Sequence, residues 1–383
     1  MLITDVKIHL VKLDGKRPIK RMFIIPQQTR WQFDRRVEEG QEDNLMAFIR
    51  IFTDAKIEGW CDAVYTWGPA RAFAETWLDA FRHELIGTDP LNREFTFQKL
   101  WFSNRFNWLH PWMMSYADIA LWDIVGKAAH LPVCKLLGSF RDRIPTYMSS
   151  GNYPQIDDFL DFGERVKNKG YLGYKLHSRL GPEIDITVAT EVRNTLGNDF
   201  VLMHDPVQTY TYPEALRVGR ALEKLNYKWL EEPVQEHDIQ VLKKLCDSLD
   251  IPIAAAEWVY GGPHWVANLL SQGAADIVRG DAVVSGGITG LMKVAHIAEG
   301  FGVQCEVHDS GPAFGFAHAH AEAAIANCEF FELNGVQPEN PTSHPLVKNP
   351  LKIVDGYLRV PQAEGLGIDL DWDELDRRTV EVL

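Results

Sequence analysis

Through the second half of the chain, apolar runs of about four residues alternate with windows of helical spacing. The runs are Ile144–Tyr147, Tyr174–His177, Val201–Asp205, Lys228–Glu231, Ile253–Glu257, Ile277–Asp281, Gln304–His308 and Phe330–Leu333. The helical windows lie near 155–169, 183–195, 213–224, 236–247, 264–272, 288–300 and 314–327. Strands in regular alternation with helices predict an α/β parallel barrel of the TIM type rather than an open sheet. The first half has another pattern. Met1–Lys12 and Asn44–Thr53 read as strands, and Glu58-Gly59-Trp60 follows a turn. Residues 70–138 read as helical through Ala72, Phe73, Trp77 and Phe81, then Ala117, Leu121, Ile124 and Val125. The expected organisation is an N-terminal α+β capping domain (1–138), a barrel (139–350) and a C-terminal segment (351–383) that returns to the cap. Asn334–Pro350 is rich in Pro, Asn and Gly, so the last barrel helix is expected to be shortened or replaced.

Composition narrows the class. The chain has 383 residues, is 46% apolar and carries a net charge of −14. That charge argues against nucleic acid or an anionic membrane as a partner. No window approaches a transmembrane span, and the N-terminus lacks a signal-peptide core. Five scattered cysteines without a CxxC pair read as reduced thiols of a cytoplasmic protein.

A polar residue closes one predicted βα unit after another: Lys175, Asp205, Glu231, Glu257, Asp281, His308 and Glu332, at intervals of 30, 26, 26, 24, 27 and 24 residues. In a parallel barrel the strand C-termini meet at one mouth, where active sites are built. Asp205, Glu231 and Glu257 would then stand side by side, and three converging carboxylates repel unless a cation intervenes. All-oxygen ligation favours Mg²⁺ over zinc. Alternation alone does not say whether Glu231 or its neighbour Glu232 points inward. Lys175 and His177 lie two apart on one strand, hence on one side, and the lysine charge disfavours a protonated His177. Asp281 and His308 on neighbouring strands suit an acid–base dyad. Glu332, if protonated, can hydrogen-bond a substrate oxygen.

Several longer motifs join these residues. They are Ala117-Asp118-Ile119-Ala120-Leu121-Trp122-Asp123, Lys175-Leu176-His177, His204-Asp205, Trp229-Leu230-Glu231-Glu232-Pro233, Ala256-Glu257-Trp258, and Gly280-Asp281 followed by Gly286-Gly287-Ile288-Thr289-Gly290. With His308 and Glu332 this ordered set resembles the mandelate racemase subgroup of the enolase superfamily, over essentially the whole chain. The resemblance implies a capping domain over a modified (β/α)7β barrel, with one Mg²⁺ per subunit on Asp205, Glu231 and Glu257. It selects Glu231 over Glu232 and implies proton abstraction α to a carboxylate. It also implies that Lys175 assists carboxylate binding, Asp281 and His308 form the dyad, and Glu332 is the electrophilic donor. Homo-oligomers are expected on the same ground. The subgroup usually has lysine where His177 stands, so His177 is expected either to act as a base or to orient substrate.

The reaction class follows less directly. A basic island, Lys16, Arg17, Lys20, Arg21, Arg30, Arg35 and Arg36, sits in an acidic protein, and in the resembled fold this stretch covers the barrel mouth. Arg21 and Arg30, with Trp31, Trp67 and Trp258 as pocket walls, suit a small polyhydroxy carboxylate. The leading expectation is dehydration of an aldonic or aldaric acid to a 2-keto-3-deoxy acid. A racemase, epimerase or cycloisomerase is the alternative, and a barrel that binds sugar acids without turnover is a remote one.

Overall fold

The computed structural model describes residues 1–18, 41–63, 69–258, 262–308, 312–334 and 338–383. The chain opens with β1 (Ile3–Pro18), β2 (Gln41–Thr53) and β3 (Glu58–Ala63), then α1 (Ala70–Leu85), α2 (Arg93–Phe106), α3 (Ser115–Ala129) and α4 (Val133–Leu137). Eight strands with seven intervening helices follow among the described residues. The strands are β4 (Arg143–Ser149), β5 (Gly173–Leu176), β6 (Val201–His204), β7 (Leu230–Glu231), β8 (Ile253–Ala255), β9 (Ile277–Gly280), β10 (Gln304–Val307) and β11 (Phe331–Asn334). Between them run α5 (Ile156–Asn168), α6 (Pro182–Leu196), α7 (Tyr212–Lys224), α8 (Ile239–Ser248), α9 (Gly262–Ser271), α10 (Gly287–Gly300) and α11 (Pro312–Glu322). Parallel pairing runs in order from β4 to β11, and β11 pairs back onto β4, which closes the barrel. After β11 come β12 (Lys352–Val354), β13 (Tyr357–Arg359), α12 (Trp372–Arg378) and β14 (Thr379–Val382).

Local sequence explains the helices. On α5, Phe159, Phe162 and Val166 are buried, while Asp157 and Asp158 open the helix and Arg165 and Lys167 close it. That charge order complements the helix dipole. On α7, Thr211 and Glu214 form a reciprocal capping box ahead of Ala215, Val218 and Leu222, which face the core. The barrel interior is stacked in layers. Tyr147, Met203, Trp229, Ala254, Ile277 and Phe330 form a buried apolar floor. Two residues further along most of these strands stand Ser149, Asp205, Glu231, Arg279 and Glu332, because side chains on one face of a strand recur every second residue.

The cap and the barrel are joined by buried polar contacts. The Asp118 carboxylate on α3 accepts hydrogen bonds from the Thr289 backbone N–H and hydroxyl on α10 and is paired with Arg93. Gly287 lies at φ +89°, and a Cβ there would stand 2.3 Å from Asp118, so this approach requires glycine. The C-terminal strands serve both halves: β13 pairs antiparallel with β4, and β14 pairs with β1. Among the described residues, no helix is long and apolar enough to cross a membrane.

Some elements differ from the sequence pattern. The β1–β2 ladder reaches Pro18 and Gln41, so part of the stretch read as a loop is a strand pair. Its outer end is held by ion pairs (Lys12 with Asp43, Arg378 with Asp14) rather than by an apolar face, so periodicity misses it. The run at 228–231 is strand only over Leu230–Glu231. The helix expected over 314–327 ends at Glu322, where Arg141 binds the Ile325 and Cys328 carbonyls and Ala323 O accepts from Phe140 and Arg141.

His320 on α11 ties three elements together. Its Nδ1 accepts from the Cys134 N–H of α4, and its Nε2 faces the Leu366 carbonyl at 3.1 Å. Burial lowers its pKa from 6.5 to about 4. As pH falls through this interval the unfolded chain takes a proton that the folded chain refuses, so stability is lost. We predict that His320→Gln flattens the acid limb of the stability curve by about 3 kcal/mol between pH 6.5 and 4, measured by urea unfolding. An unchanged acid limb would contradict this.

Candidate active site

At the barrel mouth, four fully buried side chains close into a ring of alternating charge. Lys175 Nζ lies 2.7 Å from Glu231 Oε1 and 2.9 Å from Glu332 Oε1. Arg279 Nε lies 2.9 Å from Glu231 Oε1, and its Nη2 lies 2.5 Å from Glu332 Oε2. The other two acids attach to this ring. Arg279 Nε is also 3.3 Å from Glu257 Oε2, and Lys175 Nζ is 3.9 Å from Asp205 Oδ2. Thus Asp205, Glu231 and Glu257 converge, but on side-chain cations. Among the described residues no three His, Cys, Asp or Glu side chains are arranged as a ready cage for a metal ion.

Backbone turns at the strand ends place these acids. Ala254 belongs to the apolar floor, so strict alternation would bring Ala256, not Glu257, to the layer above. Ala256 sits at φ +82°, and the changed course of the chain lets Glu257 reach Arg279. Glu232 lies at φ +39° directly after Glu231. Glu231 turns to Lys175, Arg279 and the Trp229 indole, whereas Glu232 accepts from Gln208 and shares a hydrogen bond with Glu236. The two neighbouring acids therefore occupy different environments.

Electrostatics sort the acids further. Burial, with Asp205 and Glu257 nearby, pushes Glu231 up to about 7 despite Arg279 and Lys175. Glu332 is driven the other way. Burial would raise it, but Lys175, Arg279, His308 and the Ser149 hydroxyl hold it well below the ordinary carboxylate range. Lys175 and Arg279 share its oxygens, an arrangement that favours the carboxylate over the protonated donor expected from sequence. Five carboxylates (Asp205, Glu231, Glu257, Asp281, Glu332) face two fixed cations (Lys175, Arg279). This surplus of negative charge and the all-oxygen donor set fit a hard divalent cation on Asp205, Glu231 and Glu257.

Two histidines adjoin these acids, His177 at Asp205 and His308 at Glu257. His308 Nδ1 lies 2.8 Å from Asp281 Oδ2, which leaves Nε2 turned to the site, 3.5 Å from Glu257 Oε1. Burial would lower His308, but Glu257, Asp281 and Glu332 outweigh it and raise its pKa to about 10. Asp281 is held from behind by the Val283 N–H, with His318 Nε2 at 3.3 Å from its other oxygen. His177 follows β5, with Nδ1 2.6 Å from the Ser150 carbonyl and Nε2 3.0 Å from Asp205 Oδ2. Both of its nitrogens face oxygens. Trp258 is half-buried, donates to Glu257 Oε1 and packs edge-on against His308 at 5.9 Å. Arg21, Arg30, Trp31 and Trp67 lie outside the described residues.

With this geometry in view, two family profiles match the chain. Residues 159–374 match "Enolase C-terminal domain-like", and residues 35–138 match "Mandelate racemase / muconate lactonizing enzyme, N-terminal domain". The chain belongs to the enolase superfamily, in its mandelate racemase subgroup. It is 28% identical to D-galactarolactone cycloisomerase of Agrobacterium fabrum over 98% of both chains. It is 32% identical to L-talarate/galactarate dehydratase of Salmonella typhimurium over 75% of this chain and 71% of that one. The structure of D-glucarate dehydratase from Agrobacterium tumefaciens, solved with magnesium, superposes with a TM-score of 0.86 at 29% identity, over the full length of both.

Within this superfamily member, sequence reasoning passed over Arg279, Trp229, Ser149 and His318. The signal for two of them was present. Arg279 precedes Asp281 by two residues and Trp229 precedes Glu231 by two, so each pair shares a strand face. His318 reaches Asp281 from α11, a contact that no local spacing foretells.

Lys175 is the cation common to Asp205, Glu231 and Glu332. Its replacement leaves buried carboxylates short of a partner. Lys175→Met is expected to lower stability by about 3 kcal/mol at pH 8 and by less at pH 5, where carboxylates take up protons. Urea titrations at both pH values check this, and equal stability of variant and wild type at pH 8 would contradict it.

Proposed function

We propose that this chain is a Mg²⁺-dependent hydro-lyase that dehydrates an aldonic or aldaric acid to a 2-keto-3-deoxy acid. The observation that carries the reading is the placement of His308. It is held by Asp281 at one nitrogen and turned by the other toward the carboxylates proposed as metal ligands. Asp205, Glu231 and Glu257 would hold the ion, as their oxygen donors and surplus charge suit it. Bound Mg²⁺ supplies positive charge that offsets the charge developing on the substrate carboxylate.

The chain's own residues do the rest. Lys175 and Arg279 add fixed positive charge beside the carboxylate site. Glu257 is the charge that most raises the His308 pKa, so with that carboxylate committed to a cation the imidazole would lose the main contribution favouring its protonated form. Its neutral Nε2 then removes the proton on the carbon α to the carboxylate, giving an enediolate, while Asp281 stabilises the imidazolium that forms. The same Nε2–H then protonates the β-hydroxyl as it leaves as water, and the resulting enol tautomerises to the keto acid. One imidazole thus serves as base and then as acid, so no second base is needed. His177, engaged at both nitrogens, orients Asp205 and the substrate edge. Trp258 forms one wall of the pocket.

Relatives named as dehydratases of sugar acids support this reading, and one named as a sugar-lactone cycloisomerase supports a second. In that reading the same enediolate is quenched by ring opening or closure instead of loss of water. The five thiols are free, in keeping with a reducing cytoplasm. Phe95, Phe102 and Phe106 on α2, with Trp108 just beyond it, are exposed and suit contact with a second copy in a homo-oligomer.

A panel of aldonic and aldaric acids, assayed for semicarbazide-reactive keto acid with Mg²⁺ present, tests the assignment. At least one member is expected to yield keto acid, with loss of activity in EDTA. Keto acid formed from a sugar lactone as an isomer of the substrate, without loss of water and with none from the open-chain acids, would instead establish the cycloisomerase reading. His308→Asn is expected to lower turnover by about 10³-fold while Mg²⁺ binding, followed by calorimetry, stays unchanged. Retained turnover would remove His308 from its role.

A further inference from the structure

Arg279 is a fixed cation of the site that touches two of the proposed ligand acids, Glu231 and Glu257. Its guanidinium is fully buried, and its contacts fall into two sets. Nε is shared between Glu231 Oε1 at 2.9 Å and Glu257 Oε2 at 3.3 Å. The terminal nitrogens hold residues outside the proposed ligand set, Glu332 at 2.5 Å and the Tyr147 hydroxyl at 3.4 Å. One end of the group is therefore anchored to the barrel wall while the other lies on carboxylate oxygens that a metal would use.

We propose that Arg279 is an internal stand-in for the metal: it holds Glu231 and Glu257 together when no ion is present and yields their oxygens when one binds. The proposal rests on the assignment of Asp205, Glu231 and Glu257 as ligands. The reasoning is thermodynamic. Without a cation, buried Glu231 and Glu257 repel each other, so the guanidinium stabilises the metal-free protein. When the ion arrives, the arginine loses part of those contacts and stands beside a second positive charge, so it opposes binding. The anchors on Glu332 and Tyr147 keep it in place in both states. The net effect is a site that stays formed when empty and binds Mg²⁺ less tightly than three acids alone would.

The test is Mg²⁺ calorimetry together with thermal melting in EDTA and in saturating Mg²⁺, for wild type, Arg279→Gln and Arg279→Lys. For Arg279→Gln, Mg²⁺ affinity is expected to rise about tenfold, with a lower Tm in EDTA and a wider gap between the two melts. Lysine keeps the charge but has a single ammonium on a shorter reach, so it cannot hold Glu231, Glu257 and Glu332 at once. Arg279→Lys is therefore expected to bind about threefold more tightly than wild type. Folding of Arg279→Gln only with Mg²⁺ present would also support the proposal. If the glutamine variant folds in neither condition, the lysine variant decides. Affinity equal to or weaker than wild type in the folded variants, with an unwidened gap between melts, would overturn the role of Arg279 alone. A wild type that shows neither Mg²⁺ binding heat nor a shift in Tm would overturn the ligand assignment and this proposal with it.

Discussion

The circuit of Lys175, Glu231, Arg279 and Glu332 is the constraint around which the barrel mouth is organised. Each ion taken out of water into a site like this costs several kcal/mol unless its partners are well placed. Here each member has two opposite charges at 2.5–2.9 Å. Remove one and two neighbours are left short, so positions on four different strands are locked together. Asp205 and Glu257 then hang on the same cations, and His177 and His308 hang on those acids.

The layers beneath make this circuit affordable in geometric terms. The floor of Tyr147, Met203, Trp229, Ala254, Ile277 and Phe330 is buried beneath the circuit, and the Asp118–Thr289 contact fixes α3 of the cap against α10. In a dry site of this kind, fixed charges interact over longer range than in water. That is the setting in which a weak acid such as a carbon-bound proton can be moved, provided positive charge is already in place beside the carboxylate.

Much of this was legible in the sequence. The even spacing from Lys175 to Glu332 follows from the length of one βα unit, so the barrel and the meeting of those residues at one mouth come from the same pattern. What the pattern could not carry was partnership. It placed Glu332 on the last strand but not between Lys175 and Arg279, two cations that favour its carboxylate form. It treated Arg279 as an ordinary strand residue, although the two-residue step to Asp281 marks the same inward face. Glu257 shows a further limit: it enters the site through the left-handed turn at Ala256, which departs from strict alternation. His318 and His320 come from α11, and their contacts with Asp281 and Cys134 depend on packing between distant elements.

The central claim is that Asp205, Glu231 and Glu257 gather one divalent cation beside His308. Crystals soaked in Mn²⁺, an anomalous scatterer that takes the place of Mg²⁺, test it most directly. The account predicts one strong anomalous peak bound by oxygens of all three acids, with His308 still hydrogen-bonded to Asp281. Crystals that show no peak among those acids, with Arg279 still bridging Glu231 and Glu257 at saturating metal, would contradict it.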